Sequence, residues 1–368
     1  MTKGLEGVVA VTSEISSIID GVLTYRGINI DDLADNASFE EVLYLLWHGD
    51  LPNRTQLNQL RDQLNRYSDI PEEIVSQMKS YPKSANTMAV LRSVVSALSL
   101  YDEQADDISR DANMEKAIKL TAQLPVLITA YNHYRHGRER VKPNPDYSFA
   151  QNFLYMLNGE EPTDVAVQAF NKALVLHADH ELNASTFSAR VTTATLSDMY
   201  SAVTSAIGTL KGPLHGGANE QVMAMLEEIG TVDNAETYIK RKLDAKEKIM
   251  GFGHRVYKDG DPRARHLQQM SRQLAEQKGD TKWYDLSVKI EQIVEREKGL
   301  KPNVDFYSAS VYTYLGLPRD LFTPIFAMSR ISGWTAHILE QYDNNRLIRP
   351  RAEYTGHGNR PYVPLEER

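Results

Sequence analysis

The chain has 368 residues, of which 42% are apolar, and it carries a formal net charge of −8 with no cysteine. Its length exceeds the usual limit for one hydrophobic core, so the sequence predicts two domains. The absence of cysteine excludes disulfides, zinc–thiolate sites and a cysteine nucleophile, and the acidic balance argues against non-specific nucleic-acid binding. The first residues lack a signal-peptide pattern and no apolar run approaches about 18 residues, so we expect a cytoplasmic protein without a membrane span.

The beginning of the chain is the only region with a convincing β pattern. Residues 7–12 and 16–27 are rich in Val, Ile, Thr and Tyr, and Asp20-Gly21 has the composition of a hairpin turn. The sequence therefore predicts a small N-terminal β hairpin.

Helical patterns follow along nearly the whole chain. Ser38 and Glu41 form a capping box ahead of an apolar stripe that ends at Gly49, and Thr163 caps a later helix. Residues 184–209 are dominated by Ala, Ser and Thr, which suits a tightly packed helix pair, either across a subunit interface or inside one chain. The predicted fold class is mostly α.

A more charged segment, residues 219–301, interrupts this pattern, and Thr323-Pro324 then begins a final amphipathic helix. We interpret the charged part as a second, smaller domain inserted in the first. The predicted boundaries are 1–217 with 319–368 for a large helical domain, and 218–318 for a small helical domain.

Three histidine-bearing segments are candidates for chemistry. In the first, residues 177–181, His177 and His180 are three positions apart and would share one face of a helix. That spacing is compatible with a metal, but the order of His and Glu found in zinc proteases is absent. A polar ligand contact is the preferred interpretation, and a pair of hydrogen-bonded core histidines is the alternative.

The second segment places His215, followed by Gly216-Gly217, just before a helix that is predicted to begin near Asn219. The glycines permit close backbone approach to a ligand, and the positive end of the helix dipole favours a neutral imidazole. A neutral histidine can donate a hydrogen bond to a carbonyl that is becoming an enolate. A Gly-rich connector with an incidental histidine is the alternative.

In the third segment, residues 250–263, His254 is followed by several cations, among them Lys258 and Arg263. The two glycines before His254 resemble the start of a dinucleotide fingerprint, but the third glycine and a preceding strand are missing, so we reject a Rossmann site. The segment is suited to an anionic ligand, and a solvated charged loop is the alternative.

Three further polar residues complete the candidate set. Asp305 lies between apolar neighbours; desolvation would raise its basicity, a helix N-terminus would lower it, and an N-cap aspartate is the alternative. Arg330 falls among apolar residues of a helix and requires an anionic partner, either a ligand or a structural carboxylate. Arg349 is suited to a bidentate interaction with a carboxylate, and a surface charge of the tail is the alternative.

Taken together, these segments resemble citrate synthase along nearly the whole chain. The resemblance rests on four runs in the family's order and spacing: HADHE at 177–181, PLHGGANE at 213–220, MGFGHRVYK with DPR at 250–263, and VDFYSASVY at 304–312. It implies the two-domain, mostly α citrate-synthase fold. The length resembles that of the shorter members, which are homodimers.

The resemblance implies three catalytic roles. His215 would polarise the thioester carbonyl of acetyl-CoA, and Asp305 would remove a proton from its methyl group. The enol would attack the ketone of oxaloacetate, His254 would protonate the developing alkoxide, and water would hydrolyse citryl-CoA. No covalent acyl-enzyme is needed, which agrees with a chain that has no cysteine.

The resemblance also implies the binding residues and the partners. Oxaloacetate would contact His180, Arg263 and Arg330, and Arg349 would reach it from the other subunit of the dimer. Lys258 is a candidate for contacting the phosphates of CoA. Acetyl-CoA is a co-substrate, and no metal or tightly bound cofactor is implied. Closure of the small domain over the large one is expected when oxaloacetate binds, because it excludes water before the enol forms.

Three other functions remain alternatives. The nearest is 2-methylcitrate synthase, which uses propionyl-CoA, because one methylene changes binding by only about 1–3 kcal/mol. A metal-dependent hydrolase built on His177 and His180 belongs to a different enzyme class. A non-catalytic helical scaffold is the third alternative, although every proposed catalytic residue is present.

Overall fold

A short antiparallel sheet and sixteen α-helices make up the part of the chain that the structure describes, which is residues 3–5, 7–254, 256–257 and 259–368. The structure is a computed structural model. The strands are Ser16–Ile19 (β1), Val22–Tyr25 (β2) and Ile28–Asn29 (β3). Among the described residues, no helix combines the length and the apolar character that crossing a bilayer requires.

The helices follow one another with short connections. In chain order they are Ile30–Asn36 (α1), Phe39–His48 (α2), Arg54–Arg66 (α3), Glu72–Ser80 (α4), Thr87–Leu98 (α5), Arg110–Arg135 (α6), Phe149–Asn158 (α7), Asp164–His177 (α8), Ala184–Thr193 (α9), Met199–Leu210 (α10), Ala218–Ile229 (α11), Val232–Asp244 (α12), Pro262–Lys278 (α13), Lys282–Lys298 (α14), Val304–Tyr314 (α15) and Phe322–Asp343 (α16).

The N-terminal sheet confirms only part of the predicted β region. The strands β1 and β2 pair antiparallel around a turn at Asp20-Gly21, where both residues have positive φ. Residues 7–12 form no strand, contrary to the prediction, and the side chains of residues 8–10 are exposed, so nothing covers an extended segment there. A third strand, β3, was not predicted and pairs with β2 through Tyr25 and Ile28.

The predicted helix ends are confirmed where the signal is local. The Ser38 hydroxyl accepts a hydrogen bond from the backbone of Glu41, whose carboxylate accepts one from the backbone of Ser38. Gly49 ends α2 in the left-handed region with φ 95°. Thr163 caps α8 through its side chain.

The last long helix, α16, is the centre of the core. Nearly all of its side chains are buried, and it packs against α2, α6, α8, α9 and α10. It begins at Phe322, one residue before the predicted start, and Pro324 lies in its first turn, where a missing amide hydrogen costs nothing. The small-residue stretch forms the predicted helix pair, since α9 and α10 pack closely on each other.

The helices from α11 to α15 pack mainly among themselves. The helix α13 lies against α15, α12 lies against α14, and α11 lies against α15. Contacts to the rest of the chain include the pair formed by His266 of α13 with Asp31 of α1, at 2.6 Å. The domain boundaries at 217/218 and 318/319 stay a prediction, although this packing agrees with them.

Candidate active site

The two histidines of the first segment do not share a helix face, contrary to the prediction. The helix α8 ends at His177, and His180 lies in the turn after it. The helix stops because α16 takes its last carbonyls: Arg330 Nε donates to the His177 carbonyl at 2.8 Å, and the Gly333 amide donates to Ala178 at 3.1 Å. The two side chains therefore point to separate surroundings.

His177 is a core residue and His180 is a site residue. The Nδ1 atom of His177 bonds the Ala173 carbonyl at 2.7 Å, and burial lowers the pKa of this imidazole to about 3. His180 instead contacts the Tyr257 hydroxyl through Nε2 at 2.9 Å, and its ring lies 5.2 Å from that of His254. Among the described residues, no group of three potential ligands could hold a metal ion.

His254 is oriented by backbone amides of its own loop. Its Nδ1 accepts hydrogen bonds from the amides of Val256, at 3.0 Å, and Tyr257, at 3.3 Å. Because an amide can only donate, the proton of the neutral ring must be on Nε2. Burial lowers the pKa of His254 to about 4, so the ring is neutral at pH 7 and presents Nε2–H.

His215 is held by the beginning of α9. Its Nε2 lies 2.7 Å from the Ser185 hydroxyl and accepts from the Ser185 amide at 3.3 Å, so the proton of the neutral ring is on Nδ1. The Trp334 indole donates to the same hydroxyl at 3.0 Å and fixes it in place. Burial, with a smaller effect of the Arg330 charge, lowers the pKa of His215 to about 3. The predicted neutral state is therefore present, with burial as its main cause rather than the helix dipole.

Asp305 is a carboxylate with an unpaired oxygen. The N-cap of α15 is Asn303, whose side chain accepts from the Asp305 amide at 3.0 Å, so the alternative of an N-cap aspartate is wrong. Oδ1 of Asp305 is buried and has no hydrogen-bond partner among the described residues. Burial raises the pKa of Asp305 from 3.8 to about 7, against the opposing charges of Arg263 and Arg330. A base with this pKa is suited to taking a proton near neutral pH.

Arg263 forms a buried, bidentate salt bridge with Asp261. Its Nε and Nη2 donate to the two carboxylate oxygens at 2.9 and 2.7 Å, and both side chains are almost fully buried. One of these oxygens also accepts from the Val304 amide at 3.1 Å, so Asp261 ties Arg263 to the beginning of the helix that carries Asp305. The Nη1 atom of Arg263 has no hydrogen-bond partner in the described part of the chain.

Arg330 is buried, and the described part of the chain offers its guanidinium no carboxylate partner. Its guanidinium lies over the Phe326 ring at 4.8 Å and uses only Nε, which donates to His177. Within the described residues no carboxylate lies within 4.0 Å, so the alternative of a structural salt bridge is wrong. Burial lowers the pKa of Arg330 to about 10, which leaves it charged at pH 7. A buried cation with two open nitrogens calls for an anionic ligand.

These groups form one cluster. Burial, followed by the charges of Arg263 and Arg330 and by the neighbouring imidazoles of His254 and His215, lowers the pKa of His180 well below its ordinary value. Arg330 also acts on Asp305 and on His215. The arrangement therefore offers two cations for an anion, two neutral imidazoles with defined N–H donors, and one carboxylate base.

One predicted residue, Arg349, is not part of this cluster in the single chain. Arg349 is exposed in the segment after α16 and lines a separate cavity of about 1000 Å³ with residues near the N-terminus. Lys258 lies outside the described residues, so its predicted contact with CoA stays a prediction.

Three site residues were missed as functional positions by the sequence reasoning. Ser185 lies in the small-residue stretch and supports His215. Asp261 belongs to the DPR run and supports Arg263, and Tyr257 contacts His180. The signal that could have identified Asp261 is its place two residues before a cation that is predicted to be buried, since such a cation requires a carboxylate.

The chain is similar to several known proteins over its whole length. The family profile described as "Citrate synthase, C-terminal domain" matches residues 4–351. Citrate synthase 2 of Bacillus subtilis is 62% identical over 368 residues, covering 100% of this chain and 99% of that protein. A solved structure, the ternary complex of carboxymethyl coenzyme A and oxaloacetate with citrate synthase from Thermoplasma acidophilum, has a TM-score of 0.95 at 34% identity, and the match covers 100% of this chain and 99% of that chain. 2-Methylcitrate synthase 1 of Corynebacterium glutamicum is less similar, at 44% identity over 375 residues, covering 100% of this chain and 98% of that protein.

Proposed function

The chain belongs to the citrate synthase family, and we propose that it condenses acetyl-CoA with oxaloacetate through His215, Asp305 and His254. It is an enzyme, an acyltransferase that converts the acyl group into an alkyl group on transfer. The observation that carries the assignment of roles is the buried carboxylate of Asp305, whose Oδ1 has no hydrogen-bond partner among the described residues and whose pKa is raised to about 7.

The first step is the removal of a methyl proton from acetyl-CoA. The Nδ1–H of His215 donates to the thioester carbonyl, which stabilises the negative charge that develops there. Asp305, in its ionised form, takes the proton from the methyl carbon and becomes neutral. The neutral carboxyl suits its buried surroundings better than the carboxylate, so desolvation makes Asp305 a stronger base.

The second step joins the two substrates. The enol carbon attacks the ketone carbon of oxaloacetate, and the Nε2–H of His254 supplies the proton to the alkoxide that forms. An anionic substrate beside His254 raises the pKa of that imidazole toward neutrality, which favours its role as an acid. Water then cleaves the thioester of citryl-CoA, releasing citrate and CoA.

Two buried guanidinium groups support the choice of a dicarboxylate substrate. Among the described residues, Arg263 and Arg330 each keep nitrogens without a hydrogen-bond partner, and the charges of both act on His180. Oxaloacetate carries two carboxylates, which match two cations in number and charge. Acetyl-CoA binds as a co-substrate, and Lys258 is proposed to meet its phosphates.

The enzyme is proposed to work as a homodimer in which Arg349 completes the site of the other subunit. Support comes from the exposure of Arg349 and from its separation from the rest of the site within one chain. The segment that carries it also exposes Tyr354 and Tyr362, large aromatic side chains that a second subunit would cover.

Mixed dimers test this shared site. The variants Arg349→Ala and Asp305→Asn are each expected to be nearly inactive alone. A mixed dimer of the two contains one site with both native residues, so co-expression with two affinity tags is expected to restore a substantial fraction of the activity per dimer. Mixed dimers that remain inactive would contradict the sharing of Arg349.

The function itself is tested by the release of free CoA thiol from acetyl-CoA and from propionyl-CoA, with and without oxaloacetate. The protein contributes no background because it has no cysteine. We expect oxaloacetate-dependent release with a preference for acetyl-CoA, and citrate as the product. A preference for propionyl-CoA would assign 2-methylcitrate synthesis instead, and no release from either thioester would overturn the catalytic roles.

The expected closure of the small domain over the large one is tested separately by solution scattering. A scattering profile that saturating oxaloacetate leaves unchanged would contradict this closure.

A further inference from the structure

The three imidazoles of the active site differ in what fixes their protons. Backbone amides hold His254 at Nδ1 and His215 at Nε2, so both tautomers are set by groups that can only donate. His180 receives no such amide among the described residues. In the described part of the chain, the ring nitrogens of His180 have one hydrogen-bond partner, the Tyr257 hydroxyl, which lies 2.9 Å from Nε2.

The hydroxyl of Tyr257 has the geometry of a dedicated partner. The side chain is 5% exposed, its ring centroid lies 5.5 Å from that of His180 and 4.6 Å from that of His254, and it has no second hydrogen-bond partner in the described part of the chain. A buried phenol without a partner is costly, so this bond persists whenever the loop occupies its observed position.

The direction of this bond follows from charge and donor strength. Burial of His180, and then the charges of Arg263 and Arg330, disfavour a positive charge on the ring, so the ring is neutral and has one bare nitrogen. A phenol donates more strongly than a neutral imidazole N–H, and a bare imidazole nitrogen accepts more strongly than a phenol oxygen. The stable arrangement has the Tyr257 hydroxyl donating to Nε2, which leaves the ring proton on Nδ1.

We propose that Tyr257 is a positioning residue that fixes His180 as its Nδ1–H tautomer, so that the ring presents a donor to a carboxylate or ketone oxygen of the bound substrate. The inference rests on the proposed function for the identity of that substrate. Tyr257 belongs to the loop that carries His254, and its hydroxyl contacts His180. The position of that loop therefore affects how His180 binds the anionic substrate.

The variant Tyr257→Phe removes only the hydroxyl. The matched control is Tyr131→Phe, which also removes a buried phenol hydroxyl, one that donates to the Pro82 carbonyl at 3.0 Å far from the imidazole cluster. The direct readout is the nitrogen-15 spectrum of histidine-labelled, ligand-free protein, in which bonded and bare ring nitrogens have well-separated shifts. The His180→Gln spectrum identifies the resonances of His180.

We expect native His180 to show one tautomer with the proton on Nδ1, and Tyr257→Phe to show exchange between the two tautomers. In turnover assays, Tyr257→Phe is expected to raise KM for oxaloacetate about tenfold, the effect of one lost hydrogen bond, while kcat changes less than twofold. Tyr131→Phe is expected to leave the His180 resonances and KM unchanged.

Native His180 protonated at Nε2, or a His180 spectrum identical in Tyr257→Phe and native protein, would overturn the proposal. The spectra are recorded without substrate, so they decide the tautomer even if the protein shows no oxaloacetate-dependent turnover.

Discussion

Replacing Asp305 with asparagine is expected to stabilise the fold above about pH 5 while it removes the proposed catalytic base. The pKa of Asp305 is raised from 3.8 to about 7 by burial, so the folded protein disfavours the carboxylate relative to the unfolded chain. A group of this kind contributes stability that is present below the unfolded pKa of 3.8 and is lost as the pH rises through the folded value of about 7. Asparagine cannot ionise and does not lose this contribution.

The size of the effect follows from the shift in pKa. A shift of about three pH units corresponds to about 4 kcal/mol at pH 8, about 2 kcal/mol at pH 5 and less than about 1 kcal/mol at pH 4. For a chain of 368 residues, the entropy of unfolding is about 0.8 kcal/mol/K, so 4 kcal/mol raises Tm by about 5 °C. The assay is differential scanning calorimetry of both proteins at equal concentration and scan rate, from pH 4 to pH 8.

The informative quantity is the difference in Tm as a function of pH. We expect it to grow steadily toward alkaline pH, whatever constant offset the amide group introduces. The control is Asp50→Asn, which neutralises an exposed aspartate, and its Tm is expected to follow that of the native protein at every pH. A difference between Asp305→Asn and native protein that does not change with pH would refute the assignment of a buried, disfavoured carboxylate.

Three further substitutions test the supports of the site and the core. Ser185→Ala removes the hydroxyl bonded to His215 but keeps the backbone amide, so kcat is expected to fall about tenfold with little change in KM for oxaloacetate, measured by CoA release. Asp261→Asn leaves a buried guanidinium without its charged partner, so urea unfolding is expected to show a loss of about 3–5 kcal/mol. Gly333→Ala places a methyl group against the carboxylate of Asp179 and the carbonyl of Ala178, so it is expected to lower the free energy of unfolding by about 1–3 kcal/mol. At Gly358 a methyl group meets nothing within 4 Å, so Gly358→Ala is expected to leave stability unchanged. Calorimetric scans of both variants measure the difference. Native-like values for any of the three would contradict the corresponding contact.

Local signals made parts of the fold predictable. The capping box at Ser38 and Glu41 and the left-handed end of α2 at Gly49 depend on atoms within four residues, so the sequence alone determines them. The end of α8 at His177 was not predictable in this way. It depends on donors from α16, more than 150 residues further along the chain, which take the carbonyls that would otherwise continue the helix.

The same distinction applies to the site. Four sequence runs contained the candidate residues, and the resemblance of these runs to citrate synthase, rather than any one run by itself, implied their roles. The partners of those residues come from other elements: Ser185 reaches His215 across 30 positions, and Tyr257 reaches His180 across 77. A pattern within one segment contains no information on such contacts, so the tautomers of the imidazoles had to come from the structure.

The rate of citrate formation as a function of pH tests the central assignment most directly. With oxaloacetate saturating, kcat/KM for acetyl-CoA is expected to be constant at alkaline pH and to fall tenfold per pH unit below a midpoint near 7, because Asp305 must be ionised to accept the methyl proton. The residual activity of Asp305→Asn is expected to be about 10²–10⁴ lower than that of the native enzyme and not to fall with decreasing pH around this midpoint. A midpoint near pH 4 in the native enzyme, or a limb near pH 7 that persists in Asp305→Asn, would contradict the assignment of Asp305 as the base.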